Sequence, residues 1–146
     1  MKGGFDIIIG NPPYGAEFSV TEKKYYLSKF ETAKQNGNSA MMFIQRCYEL
    51  LSPSGRLGLI VPKSLSYAQK WEKGRVYVLK DLVSVYDVSK AFKDVKLEQI
   101  IIRIDKNSNL KNYFIWRHDD YKQLLVNKDL CMSTGTLILW GDYDEN

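Results

Sequence analysis

The sequence predicts an α/β fold built on a mostly parallel β-sheet. Residues 5–9 and 56–61 are short apolar runs of strand length, and they lack the alternation of a strand with one solvated face. A helix-length segment with an apolar stripe lies between them. Residues 82–88 and 98–104 are also strand-like, but their link is too short for a helix. We therefore expect these two strands to pair antiparallel and to end the sheet as a hairpin.

Composition restricts the class of protein only broadly. The chain has 146 residues, 45% of them hydrophobic, which suits one domain with a packed core. A net charge of +4 and a pI near 8.9 are compatible with a polyanionic partner without indicating one. Cys47 and Cys131 form neither a disulfide framework nor a metal-ligand spacing, so we expect no metal. With no signal peptide or membrane-length apolar run, a cytoplasmic protein without a membrane partner is expected.

The first strand leads into the most informative stretch of the chain. We expect residues 5–9 to be buried on both faces and to end at Gly10. Pro12 and Pro13 stiffen the backbone after Asn11 and carry no N–H that competes with their carbonyls. Tyr14 adds a flat aromatic face. These four residues predict a rigid pocket at the carboxyl end of a strand, where open α/β sheets bind their ligands.

Such a pocket suits an amino group attached to a planar base. The nitrogen of such a group is a poor nucleophile because its lone pair is delocalised into the ring. The Asn11 side-chain oxygen and the Pro12 carbonyl could accept its two hydrogens and stabilise the positive charge that develops during attack. Stacking of the base on Tyr14 would add about 1–3 kcal/mol.

Asn11-Pro12-Pro13-Tyr14 after an apolar strand resembles the catalytic signature of the N6-adenine DNA methyltransferases of bacterial restriction–modification systems. The longer run from Ile9 to Gly15 is similar to the branch in which methyltransferase and nuclease are often fused. The resemblance implies a class I (Rossmann-like) methyltransferase sheet, S-adenosylmethionine as cofactor, and direct methyl transfer to the amine. Asn11, Pro12, Pro13 and Tyr14 would then be catalytic, and Asn11 would also contact the cofactor.

Two helices are predicted between the first and second strands. A helix over about 21–34 is either a basic, aromatic lid near DNA phosphates or an amphipathic helix with a solvated lysine face. Ser39 is expected to cap a second helix that runs to residue 51, followed by a turn at 53–55. Phe43 on this helix matches a family position that borders the adenine ring of the methyl donor; otherwise it is a core residue. A loop and a further helix are expected over 63–80.

The link between the last two predicted strands contains Phe92. In the resembling family an aromatic residue in this loop contacts the extruded target adenine opposite the catalytic tyrosine, so Phe92 is expected to bind the target base together with Tyr14. The alternative is a hydrophobic plug in the hairpin. Lys93 and Lys96 flank Phe92 and either touch phosphates or are simply solvated.

The tail matches the family less well. Strands are expected at 113–116 and 137–140, a short helix at 119–126, and a turn at 133–136, while His118 is taken as an ordinary turn residue. We divide the chain into residues 1–105, the carboxyl half of a methyltransferase domain, and residues 106–146, an extension leading toward a target-recognition region.

The first predicted strand begins at residue 5, and no glycine-rich cofactor loop precedes it. The chain is therefore expected to be a fragment that lacks the first strands of the sheet and the main cofactor-binding loop. Its partners would be double-stranded DNA, the missing amino-terminal half, and a possible nuclease or specificity domain. Residues 5–9 would form an exposed sheet edge, through which the chain could associate with itself.

The leading hypothesis is thus a methyltransferase that acts on N6 of adenine in DNA and is inactive as an isolated fragment. A glutamine or RNA methyltransferase that uses the same Asn-Pro-Pro-Tyr pocket is an alternative, because enzymes that methylate glutamine or guanine share these four residues. A third alternative, of another class, is a non-catalytic nucleic-acid-binding remnant.

Overall fold

A computed structural model describes residues 3–36, 38–90, 92, 96–117 and 123–139. Within them six strands form one sheet: β1 (Phe5–Gly10), β2 (Leu51–Pro62), β3 (Leu82–Ser89), β4 (Gln99–Asp105), β5 (Asn112–Arg117) and β6 (Gln123–Asn127). The α-helices are α1 (Val20–Lys29), α2 (Ala33–Asn36), α3 (Ser39–Leu50), α4 (Glu72–Leu79) and α5 (Lys128–Thr134), and two short 3₁₀ helices, Lys63–Ser66 and Gln69–Trp71, precede α4.

The strands lie in the order β1-β2-β4-β3-β5-β6. β1, β2, β3 and β5 run in one direction, while β4 and β6 run the opposite way. The sheet therefore has one edge, here called the carboxyl edge, at which β1, β2, β3 and β5 end and β4 begins. Ligands of open α/β sheets bind at this edge.

The predicted hairpin of β3 and β4 is confirmed, with Val85 opposite Ile102 in an antiparallel ladder. The sheet does not end there, because β4 inserts between β2 and β3, and β5 then pairs with β3 in parallel. The predicted strand at 113–116 is thus a member of the same sheet. Its buried side chains Tyr113 and Ile115 belong to the same core as β2, β3 and β4.

β1 is far more exposed than its apolar sequence predicted. Ile9 is 81% exposed and Ile7 64%, and only Ile8 packs against the core. The prediction of a strand buried on both faces was wrong, because the described residues leave the face of β1 that carries Phe5, Ile7 and Ile9 largely uncovered.

Several predicted boundaries differ from the structure. The helix expected over 21–34 breaks after Lys29, where Phe30 adopts an extended conformation, and a short helix resumes at Ala33. Asn38, and not Ser39, caps α3 by accepting from the backbone of Ala40 at 2.9 Å. Residues 53–55 belong to β2 instead of a separate turn.

The tail contains the largest errors of secondary structure. Residues 123–126, expected to be helical, form β6, and the unforeseen helix α5 follows. Residues 137–139, expected to be a strand, are buried without regular structure. Residues 119–122, His118 and Trp140 lie outside the described residues. The turn expected at 133–136 is confirmed at Gly135, which ends α5 in the left-handed region.

Candidate active site

Residues 11–16 form a loop directly after β1, at the carboxyl edge of the sheet. Asn11 and Pro13 are exposed, Pro12 is buried, and Tyr14 is half-buried against the core. Gly15 has a φ of +84°, which most other residues adopt only with strain. The loop therefore presents a polar amide to solvent beside an aromatic ring that is held from behind.

Ser39, the first residue of α3, fixes this loop to the domain. Its hydroxyl donates to the Pro13 carbonyl at 2.8 Å and accepts from the backbone N–H groups of Gly15 and Ala16, each at 3.2 Å. Ser39 itself is 2% exposed. One buried hydroxyl thus satisfies three backbone groups of the loop and stabilises its shape.

The Tyr14 hydroxyl is the centre of a second set of contacts. It donates to Asn11 Oδ1 at 2.8 Å, lies 3.1 Å from the Ile60 carbonyl on β2, and accepts from Gln99 Nε2 on β4 at 3.2 Å. Burial raises the pKa of Tyr14, while the hydrogen bond from Gln99 opposes that rise. The phenol therefore remains a neutral donor at physiological pH, and it directs the Asn11 oxygen.

Phe43 lines a cavity of about 350 Å³ beside the loop. Its ring is 48% exposed, so the alternative that it is simply a core residue was wrong. Pro13, Tyr26, Phe30 and Met42 contribute further apolar walls. This volume lies within the range of small-molecule sites, and the walls suit a flat apolar ring.

Tyr26 and Phe30 attach the end of α1 to this cavity. The Tyr26 ring meets Phe18 edge-on with centroids 4.7 Å apart. No residue of α1 is buried, so its lysines are solvated and the helix covers the cavity only through these aromatic side chains. The solvated lysines agree with the alternative of an amphipathic helix, but the apolar face of α1 does not enter the core.

Phe92 follows β3 on the same edge of the sheet as Asn11 and Tyr14, and it is 44% exposed. An exposed ring does not plug the hairpin, so that alternative was wrong. The aromatic pairs of the described residues do not include Phe92 with Tyr14. Lys96 is exposed, and Lys93 lies outside the described residues.

Other features that bear on function are limited. Among the described residues, no cluster of histidine, cysteine and acidic side chains has the geometry of a metal site. Within the same ranges no helix has the length and apolar character needed to cross a membrane. Lys63, just after β2, forms ion pairs with Asp87 at 2.9 Å and Glu98 at 3.1 Å.

The order and direction of the strands, together with a polar loop at the end of β1, define a class I S-adenosylmethionine-dependent methyltransferase fold. A candidate class I methyltransferase from Listeria monocytogenes superposes with a TM-score of 0.63 at 18% identity, over 79% of this chain and 37% of that one. The type IIG restriction endonuclease BpuSI superposes with a TM-score of 0.68 at 12% identity, over 90% of this chain and 20% of that one.

The chain belongs to the Eco57I restriction-modification methylase family, whose model matches residues 1–93. It is also similar to the type II restriction enzyme and methyltransferase RM.Eco57I of Escherichia coli. The two are 26% identical over 142 residues, which is 90% of this chain and 14% of the relative. The type II methyltransferase M.XhoI of Xanthomonas vasicola is 30% identical over 73 residues, 49% of this chain. The chain therefore spans a small part of the length of these relatives.

Sequence reasoning missed Ser39 and Gln99 as parts of the site. Ser39 was assigned to a helix cap, and its hydroxyl instead holds the loop, a role that no local pattern marks. Gln99 opens an apolar strand, and a polar residue in that position is the one signal that could have identified it.

Proposed function

We propose that this chain is part of an enzyme that transfers a methyl group to N6 of adenine in DNA. The observation that carries the proposal is the exposed Asn11 oxygen, held by the half-buried Tyr14 hydroxyl at the carboxyl edge of the sheet. A carbonyl oxygen accepts two hydrogen bonds. Tyr14 occupies one of these positions and leaves the other for the amine of a substrate.

In this proposal Asn11 Oδ1 and the Pro12 carbonyl accept hydrogen bonds from the exocyclic amine. These bonds strengthen as the nitrogen becomes positively charged, so they favour the transition state over the ground state. Pro13 keeps the corner rigid. Tyr14 stacks on the base from one side and Phe92 from the other, which would offset part of the few kcal/mol needed to extrude the base.

S-adenosylmethionine would supply a sulfonium-bound methyl group as the electrophile. The apolar cavity between Phe43 and Pro13 is suited to a flat adenine ring, and we assign Phe43 to cofactor binding on that basis. The assignment of Asn11 to the cofactor rests on the resemblance of its motif to the family. The main binding loop is expected outside these 146 residues. Calorimetric titration checks this: micromolar binding of S-adenosylmethionine by the chain alone would contradict the fragment interpretation.

The proposed partner is double-stranded DNA, with the remainder of the methyltransferase domain and a possible nuclease or specificity domain in the complete protein. Residues 106–146 remain assigned to a path toward target recognition, although β5 and β6 also extend the sheet. A cytoplasmic location belongs to the same proposal, because bacterial DNA is the expected substrate.

A substrate screen tests the function. The full-length enzyme is incubated with radiolabelled S-adenosylmethionine and, in parallel, duplex DNA, RNA and a glutamine-containing protein. N6-methyladenine in the digested DNA is the expected product. Label in glutamine or RNA alone would favour the other methyltransferases that share the motif, and no transfer to any substrate would favour a binding remnant.

The exposed edge of β1 carries a separate prediction. Ile7 and Ile9 expose apolar side chains on a strand that, among the residues the structure describes, pairs on one side only, so the 146-residue chain is expected to self-associate. Sedimentation should show dimers or larger species at high concentration, and Ile7→Lys should shift the population toward monomer. A wild-type chain that stays monomeric throughout would contradict this prediction.

A further inference from the structure

Gln99 is a buried polar residue with an unusual place in the sheet. It is 0% exposed, opens β4 at the carboxyl edge, and pairs with Pro62 on β2 and Ser89 on β3. Its Nε2 donates to the Tyr14 hydroxyl at 3.2 Å. Its Oε1 is buried and has no hydrogen-bond partner among the described residues.

An amide that uses only part of its capacity costs stability, because a buried acceptor without a partner has lost its water and gained nothing. Ile101, the next residue of β4 on the same face of the sheet as Gln99, shows that this face also accepts an apolar side chain. The contact of Gln99 with Tyr14 therefore requires an explanation other than the stability of the sheet.

The direction of the hydrogen bonds explains why Gln99 contacts Tyr14. Because Gln99 donates to the Tyr14 oxygen, the single hydroxyl proton of Tyr14 points away from Gln99, toward Asn11 Oδ1 or the Ile60 carbonyl. A hydroxyl that accepts a hydrogen bond is also a stronger donor. The Asn11 amide then presents its oxygen, and not its NH₂ group, to the tyrosine.

We propose that Gln99 is a positioning residue for the methyl transfer assigned above: its N–H donates to Tyr14, so that Tyr14 donates to Asn11 and fixes the orientation of the acceptor amide. The proposal rests on the proposed function. Gln99 acts through Tyr14 and touches neither substrate nor cofactor. Without this donor the Tyr14 hydroxyl no longer accepts a hydrogen bond and is a weaker donor, so the contact that orients the Asn11 oxygen is weaker.

Gln99→Met separates positioning from packing. Methionine fills a similar volume, removes the donor, and also removes the unpartnered oxygen. In the full-length enzyme we expect turnover to fall about tenfold, with KM for DNA within about twofold of wild type. The melting temperature should stay equal or rise. Wild-type turnover, or a loss of turnover that follows a lower melting temperature, would overturn the proposal.

Ser84→Ala is the matched control. Ser84 is also buried in the sheet, and its oxygen has no hydrogen-bond partner within the described ranges, but it lies on β3 opposite Arg103, away from Tyr14. Removing its hydroxyl should leave turnover unchanged. A tenfold loss in this variant as well would mean that any buried change in the sheet impairs the enzyme, and that result would overturn the assignment to Gln99.

Gln99→Glu reverses the chain of hydrogen bonds. An ionised carboxylate accepts from Tyr14, whereas a protonated carboxyl can donate to it as Gln99 does. Burial raises the pKa of such a carboxyl, so turnover should fall as the pH rises through it. Three charged groups adjoin this position, and all are present in the wild type: Glu98 precedes Gln99, Lys63 follows its strand partner Pro62, and Asp87 pairs with Ile100. A variant profile parallel to that of the wild type would overturn the proposal.

A spectroscopic measurement needs no catalysis. In the 146-residue chain labelled with ¹³C at the tyrosine Cζ, the Gln99→Met variant should show a higher pKa for Tyr14 than the wild type, since it lacks the bond that opposes the rise. An unchanged Tyr14 pKa would overturn the positioning role of Gln99 without affecting the proposed function. Failure of the wild-type enzyme to transfer methyl groups would overturn the proposed function as well.

Discussion

Two half-buried tyrosines lie at opposite edges of the same sheet, and both pack against the core through their rings. The Tyr14 hydroxyl, at the carboxyl edge, contacts two neutral amides and a carbonyl. At the other edge Tyr48 donates to the Asp81 carboxylate, which precedes β3, and the Lys106 ammonium lies 4.6 Å over its ring.

The two networks differ in charge and in completeness. Around Tyr48, Lys106 also donates to the Leu51 carbonyl at 3.1 Å, and Lys128 donates to the Lys80 carbonyl at 3.0 Å. Around Tyr14 the network ends at the exposed Asn11 and at an unpartnered Gln99 oxygen. A closed, charged network stabilises the fold, whereas an open, neutral one keeps hydrogen-bonding capacity for a ligand.

The largest expected effect is a loss of turnover when the Tyr14 network is changed at Asn11. Asn11→Ala removes the proposed acceptor and should lower turnover at least about 100-fold, by analogy with the loss of one oxyanion-hole donor. The free energy of unfolding should change by less than about 0.5 kcal/mol because the side chain is exposed.

Single-turnover methylation and DNA binding by the full-length enzyme measure this difference. Asn107→Ala, at another exposed asparagine, is the control and should be fully active. Wild-type turnover in Asn11→Ala would refute the assigned role.

Removing each tyrosine hydroxyl tests the comparison directly. Tyr48→Phe leaves the buried Asp81 carboxylate without its donor and should lower the free energy of unfolding by about 1.5–3 kcal/mol. Tyr14→Phe removes neutral hydrogen bonds and should cost about 0.5–1.5 kcal/mol, while turnover falls roughly tenfold. Urea unfolding and methylation rates measure both. Equal stability losses, or lower activity per folded molecule in Tyr48→Phe, would contradict the assignment.

Ser39→Ala should affect both properties moderately. It leaves the Pro13 carbonyl and two loop N–H groups without their partner, so we expect a loss of about 1–2 kcal/mol and roughly tenfold lower turnover. Ser28→Ala on the exposed helix α1 is the control, because the Ser28 hydroxyl donates to the Tyr25 carbonyl within its own helix. Full activity in Ser39→Ala would mean that the loop keeps its shape without this anchor.

The smallest expected effect is the change in folding stability at alkaline pH that depends on Tyr48. Burial, followed by the hydrogen bond to Asp81 and the charge of that residue, raises the pKa of Tyr48 well above its ordinary value. The folded state thus favours the neutral phenol. This stabilisation is complete below the unfolded pKa of about 10 and is lost as the pH rises through the folded value. Urea unfolding between about pH 9 and 11 measures this effect. The free energy of unfolding should fall less steeply with pH in Tyr48→Phe than in the wild type.

The local sequence predicted the parts of the fold that depend on the spacing of apolar residues and on the length of the connecting segments. The order of α3, β2, α4 and the β3–β4 hairpin follows from apolar patterns and from the short link before Gln99. The tail was misjudged because residues 123–126 read as helical, whereas pairing with β5 makes them a strand. Such pairing depends on partners that are distant in the sequence, and it overrides local preference.

The site was predicted in the same uneven way. Asn11, Pro12, Pro13 and Tyr14 are consecutive, so their chemistry could be inferred from the motif alone. Their supports could not, because Ser39 lies on the helix α3 and Gln99 is 85 positions beyond Tyr14. A sequence motif thus indicates the groups proposed to meet the substrate, while the residues that orient them emerge only from the fold.

The bulge between β1 and β2 has a consequence for evolution and engineering. Between the paired positions Phe5–Leu51 and Ile7–Arg56, β1 advances two residues while β2 advances five. From Ile7 to Gly10 the two strands then pair residue by residue. Insertions or deletions at Pro53 or Ser54 would be absorbed where the strands begin, without shifting the end that leads into Asn11. Substitution of Gly55 is not expected to be tolerated, because a methyl group there would collide with the Phe5 carbonyl. We therefore expect the start of this strand pair to tolerate changes of length that leave the proposed acceptor loop at its other end in place.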